Sequence, residues 1–228
     1  MSFSPPAAAF LILFLAASAV HLYHSYLDDA GKRAYTKPFL LLFLILFYVS
    51  AAGTRNHALL LALACAWAGD VLLIFPGNRF FVLGGIAFLF AHFFLMAAFV
   101  PGILAVRVEG ILLAGAAIAY LLATAWIIRR LFGIVPKKML VPMCLYLAAN
   151  GTTNLFALMQ LMTLRNTGAF LAFLGAFFFF FSDCVLYLVR YHPDRNLIYK
   201  RHFTVMAAYL AGVFLITLGM LQISEIIS

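Results

Sequence analysis

Charged side chains are scarce in this 228-residue chain: Asp and Glu number seven and Lys and Arg fifteen, so that 10% of residues are charged against 67% hydrophobic. With a mean hydropathy of +1.10, so much apolar side chain cannot be hidden in one water-soluble core, and the composition is that of an all-α integral membrane protein. Cysteine is also sparse. Cys65, Cys144 and Cys184 lie inside apolar runs with no C-x-x-C pair, which argues against disulfides and thiolate metal sites. No H-E-x-x-H or H-x-E signature occurs, and His21 and His24, one turn from the end of the first apolar run, read as interfacial. Neither a metal nor another cofactor is expected. The formal net charge of +8 would suggest nucleic acid in a soluble protein. Here the basic residues flank apolar runs, where they meet water and anionic head groups, so the expected partners are membrane lipids and not nucleic acid.

Cutting the chain at its charges leaves six charge-free windows, Met1 to Leu27, Pro38 to Thr54, Phe80 to Val106, Gly110 to Ile128, Met139 to Leu164 and His202 to Ser224. Two more, Asn56 to Asn78 and Asn166 to Val189, are interrupted only by Asp70 and Asp183. The expectation is a single transmembrane domain over 1–228 forming an eight-transmembrane-helix bundle, with spans at about 5–27, 38–54, 57–76, 80–100, 110–129, 139–163, 166–189 and 202–223. Only short connections remain, which excludes a separate soluble catalytic domain. No basic residue precedes the first run and no clear small-residue cleavage site precedes Asp28, so this run is expected to be retained as a span. Lys37-Pro38 puts a proline at the expected first turn of the second helix, and Pro76-Gly77-Asn78 and Pro101-Gly102 end the third and fourth. Tyr48 to Thr54 resembles Tyr146 to Thr152, and Gly69 to Leu73 resembles Ser182 to Leu186. Each pair is four spans apart, the pattern of two parallel four-helix repeats. No pattern indicates an oligomeric state.

An ionisable group inside a span is costly and by default marks a functional site. Asp70 lies six residues before Pro76 and Asp183 seven before Arg190, about 9–10 Å inside the same ends of two spans that run in one direction. The two carboxyls can therefore meet across a bundle; the plainer reading makes each a packing group bonded to a Tyr or Ser. Tyr120, Tyr146 and Tyr209 reach about 12–14 Å, and His92 and Asn150 lie deeper. These are candidates to contact a substrate, although tyrosine also serves as ordinary interhelical glue. Lys37, Arg79 and Arg190 sit at the span ends, where an anionic head group would lie.

Several segments resemble, in order, the YhhN-like family of multi-pass membrane lysoplasmalogenases: Thr36-Lys37-Pro38, Gly69-Asp70-Val-Leu-Leu73, the stretch from Phe81 to His92, Pro142-Met-Cys-Leu-Tyr146 and Phe181-Ser182-Asp183. The last span departs from the family pattern, with Ala208-Tyr209 and no Gln until Gln222. The resemblance implies that Asp70 and Asp183 are a catalytic pair cleaving the vinyl ether of a lysoplasmalogen to a fatty aldehyde and glycerophosphoethanolamine or glycerophosphocholine. A vinyl ether resists base and yields to acid, so the site needs a carboxyl that is still protonated near neutral pH. A low-dielectric interior and a second nearby carboxylate both favour one. In this reading one Asp donates the proton, and the other, ionised, stabilises the cation and handles water.

A proton-coupled small-molecule or lipid transporter would use the same buried Asp pair as a relay. An intramembrane aspartyl protease is disfavoured, because Asp70 follows Ala68-Gly69 and not Gly-x-Gly, and Asp183 follows Ser182 and not Tyr. A lipid-binding scaffold would tolerate loss of both. Odd-numbered loops carry twelve Lys and Arg and even-numbered loops three, which places the odd loops in the cytoplasm (of a bacterial inner membrane, if the host is bacterial) and both termini outside. A reporter that works only outside the cytoplasm should therefore be active when fused after Ser228; activity of a cytoplasm-only reporter there would reverse the orientation.

Overall fold

Backbone groups in hydrocarbon must bond to one another, so apolar runs of this length fold as helices. The computed structural model describes residues 4–227; residues 1–3 and 228, which bear on the expected placement of the termini, lie outside the described residues. Among the described residues eight α-helices follow in order: α1 Pro5–Tyr26, α2 Ala30–Ala51, α3 His57–Leu72, α4 Asn78–Phe99, α5 Gly110–Leu131, α6 Lys137–Leu164, α7 Thr167–Tyr191 and α8 His202–Ile227. There is no strand among the described residues. Six helices (α1, α2, α4, α5, α7 and α8) are long and apolar enough to cross a membrane, which makes this a multi-pass membrane protein. Of the other two, α3 is an apolar helix of 16 residues, and α6 carries Asn150, Thr152, Thr153, Asn154 and Gln160 along its length.

The helix starts are chemically marked. Asp29, Asn56 and Asn166 each accept a backbone N–H from three residues on, at 3.1, 3.1 and 2.8 Å, the N-cap arrangement that satisfies an orphan donor of the first turn. The Asp29 carboxyl is held below its ordinary range chiefly by that bond from the Lys32 N–H. This cap changes the reading of α2. Pro38 was expected to open the helix at its first turn, but the helix begins at Ala30 and Pro38 lies inside it. Charged residues between 30 and 37 hide this turn from a cut made at charges, although a helix can run through the interface before it meets lipid. Proline cannot donate to the Ala34 carbonyl, and Trp67 Nε1 donates to the Pro38 carbonyl at 2.8 Å. As a consequence Lys37 is carried on a helix that packs against α3. At its far end α3 stops at Leu72, short of the turn at Pro76.

Neighbouring helices form a ring in the order α1, α2, α3, α4, α6, α7, α8 and back to α1, while α5 packs outside against α6 and α7. The tightest contact is α7 on α8. A Cβ built on Gly175 would stand 2.6 Å from the Gly212 carbonyl oxygen and from the Ile216 nitrogen, so only glycine permits these backbones their separation. Ser182 Oγ donates to the Val205 carbonyl at 2.9 Å nearer the α8 start. Together these contacts fix α8 alongside the carboxylate of α7. Gly175→Leu should destabilise the protein by about 3 kcal/mol or more, since overpacking here meets backbone and not a movable side chain; unfolding in detergent micelles measures it, with Gly115→Leu, where a Cβ meets nothing within 4 Å, as the neutral comparison.

Candidate active site

Asp70 and Asp183, on separate halves of the chain, line one cavity of about 350 Å³ at the end of the bundle where α2, α4 and α8 begin. They are 2% and 6% exposed, and at such burial a carboxyl needs partners or a proton. Asp70 has partners on both oxygens. Lys37 Nζ from α2 lies 3.2 Å from Oδ1, and the Tyr209 hydroxyl from α8 donates to Oδ2 at 2.7 Å. The approach of α3 to α4 makes room for this: a Cβ on Gly69 would meet the Phe88 ring at 2.7 Å, and Phe88 is one wall of the cavity.

Asp183 is held differently. The Tyr146 hydroxyl and Asn150 Nδ2, one turn apart on α6, both donate to Oδ2 at 2.7 Å, and His92 Nε2 of α4 lies 3.5 Å from the same oxygen. Behind them the network continues. Asn154 Nδ2 donates to the Asn150 carbonyl at 3.0 Å, and the Tyr120 hydroxyl donates to Asn154 Oδ1 at 3.0 Å. His92 Nε2 is also 3.3 Å from the Tyr146 hydroxyl, and its Nδ1 is 3.4 Å from Thr153 Oγ1. The three contacts made to Asp183 itself, from Tyr146, Asn150 and His92, all fall on Oδ2, and Oδ1 has no protein partner among the described residues. The two carboxyls are therefore chemically unequal. Asp70 is ion-paired with both oxygens engaged, whereas Asp183 is held through one oxygen and has no protein partner among the described residues on the other.

Five of the residues singled out from the sequence, Asp70, Asp183, Lys37, Tyr209 and Arg190, line the cavity. His92, Tyr146 and Asn150 stand behind Asp183, and Tyr120 reaches it only through Asn154. Arg79 is exposed on the first turn of α4, outside the cavity lining. The cavity lining also includes Arg201 and His202 at the loop end and Phe81 and Phe88 as apolar walls. Arg190 lies over the Phe81 ring, 3.8 Å from its centroid, and donates to Asn78 Oδ1 at 3.0 Å. The Lys37–Asp70 pair was not foreseen, since no spacing links residues on two helices. A four-residue step does mark Arg33 and Lys37 as one helix face, once α2 is known to start at Ala30.

The model of the YhhN family matches residues 32–220, a stretch that contains every cavity residue named above. No curated protein and no solved structure matches the chain.

Removing one partner of a buried ion pair leaves an uncompensated charge. Lys37→Met should therefore cost about 3–5 kcal/mol, and Lys37→Met combined with Asp70→Asn should recover most of it. Unfolding of both variants in micelles measures the coupling, and additive losses would show that the pair is not energetically linked.

Proposed function

The chain belongs to the YhhN family, which includes lysoplasmalogenases, and on that premise we propose that it is a membrane hydrolase that cleaves the vinyl ether of a lysoplasmalogen. The observation that carries the reading is the pair of unequal, buried carboxyls on one cavity. Acid cleavage of a vinyl ether needs a proton donor and is helped by a nearby negative charge, and the unequal contacts support one division of these roles. In this reading Asp70, paired with Lys37 and bonded by Tyr209, is the carboxylate. Asp183, which accepts two hydrogen bonds on Oδ2, is in this reading the acid, donating from the Oδ1 that has no protein partner among the described residues.

Asp183 Oδ1 gives its proton to the vinyl carbon farther from the ether oxygen, and the C=C electron pair forms the new C–H bond. The positive charge is shared between the ether oxygen and its adjacent carbon, where the Asp70 carboxylate offsets it. Water adds to that carbon and passes a proton to Asp183, which restores the acid. The resulting hemiacetal moves its hydroxyl proton to the glycerol oxygen as the C–O bond breaks, releasing the aldehyde and the glycerophosphodiester. One water is consumed and no redox partner is needed.

In the same reading all eight helices cross the bilayer and the cavity opens at the cytoplasmic face. The head group lies toward the loop end, where Arg79, Arg190 and Arg201 concentrate positive charge. The alkenyl chain runs inward past Phe81 and Phe88. Tyr146, Asn150, His92 and, through Asn154, Tyr120 orient Asp183 and do not bind the lipid. Asp70→Asn and Asp183→Asn should each lower turnover by at least about a hundredfold, the scale of a lost general acid or charge stabiliser, while remaining folded and detergent-extractable. Fatty aldehyde released from a synthetic alkenyl-glycerophosphoethanolamine is the readout, with the saturated alkyl ether as the substrate that survives. Near-normal release by either variant, or uptake of a solute driven by a pH gradient without lipid product, would refute the assignment.

A further inference from the structure

A second cavity, of about 190 Å³, adjoins the first and shares Lys37, Leu73, His202 and Met206 with it. The remaining wall includes Arg33 and His21. Arg33 is the unusual member. Its side chain is 14% exposed, an uncommon degree of burial for a guanidinium, and its Nη1 is buried without a hydrogen bond although the Asp28 carboxylate lies 3.3 Å away. That carboxylate is itself 72% exposed, so it faces water more than it faces Arg33. No acceptor among the described residues takes a hydrogen bond from this guanidinium. A half-buried, positively charged fork with unused donors fits a phosphate, which accepts two of them side by side.

The arginines of the main cavity are already engaged. Arg201 Nη2 bonds the Val189 carbonyl, and Arg190 is bonded to Asn78 and laid over Phe81. These contacts fasten the end of α7 to its neighbours. Arg33, by contrast, sits on the first turn of α2 with only the exposed Asp28 carboxylate as its ion-pair partner, and lies one turn before Lys37. The two are on one face, about 6 Å apart along the helix axis. Arg33, Lys37 and Asp70 therefore follow one another from the loop end inward, the order in which a lysolipid presents its phosphate, its glycerol and its ether.

We infer that this annex is the phosphate subsite of the main cavity, in which Arg33, with Lys37 and His202 alongside, binds the phosphodiester of a single-chain glycerophospholipid and so sets the depth at which the ether meets the carboxyl pair. The inference rests on the lipid-hydrolase reading above, but its test does not need turnover. Purified protein in detergent is titrated with an alkyl-ether lysophosphatidylethanolamine, which cannot be cleaved, and with the alkylglycerol of the same chain, which lacks the phosphate; thermal protection or calorimetry gives each affinity. The wild type should prefer the phospholipid. Arg33→Gln should reduce that preference about tenfold and leave alkylglycerol binding unchanged, and Arg33→Lys, which keeps the charge but not the fork, should fall between. Unchanged alkylglycerol affinity is also the sign that the variants are folded.

A phosphate preference that survives Arg33→Gln but is lost in Arg190→Gln would overturn the subsite and leave the hydrolase reading standing. Normal aldehyde release by the Asp183→Asn variant would do the reverse. Inorganic phosphate at the concentration of the lipid should give no protection; protection equal to that of the lysolipid would identify a site for free phosphate and overturn the head-group assignment.

Discussion

A carboxyl group taken out of water into a helix bundle must keep its proton or find donors and a counter-charge, and this chain has two such groups in one place. Six helices answer to that demand. Lys37 of α2 and Tyr209 of α8 serve Asp70 of α3, and His92 of α4 and Tyr146 and Asn150 of α6 serve Asp183 of α7. Because each helix brings a partner from a different direction, the polar layer fixes rotation and depth for most of the bundle. Packing among apolar side chains does this poorly, since hydrocarbon chains are as good a neighbour as Leu or Phe.

Small residues make the layer reachable. Gly175 and Gly212 let α7 and α8 touch backbone to backbone, and Gly69 and Gly84 do the same for α3 and α4. These two close pairs bring Asp183 and Asp70 to a shared cavity, and the ring of Phe88, packed against Gly69, also meets Phe179 of α7 and Tyr209 of α8. The unequal environment of the two carboxyls follows from where they attach. The helix opposite Asp70 offers an ammonium, whereas α6 offers Asp183 only neutral donors.

Internal similarity in the sequence pairs Tyr48 with Tyr146, yet the two do different work. The Tyr48 hydroxyl accepts the Asn56 N–H at 2.9 Å, at the far end of the bundle, and Tyr146 donates to the Asp183 carboxyl. Position within the packed bundle, more than local sequence, decides what such a side chain does. The same holds for Lys37, whose neighbour Pro38 suggested a helix end and an interfacial role. An N-cap at Asp29 moves that end outward by two turns and turns Lys37 inward to Asp70.

Scarcity of charge set the eight helical segments in order along the chain, and counting residues from their charged ends placed Asp70 and Asp183 in one layer. Both follow from a cost each residue bears individually, that of a polar group in hydrocarbon, and such costs can be summed along a chain. Which donors reach each carboxyl, which oxygen stays free, and that Arg33 lies half-buried in the adjoining cavity were decided only by the packing. Those are relations between residues on different helices, fixed by crossing, rotation and close glycine contact, and no spacing in the sequence encodes them.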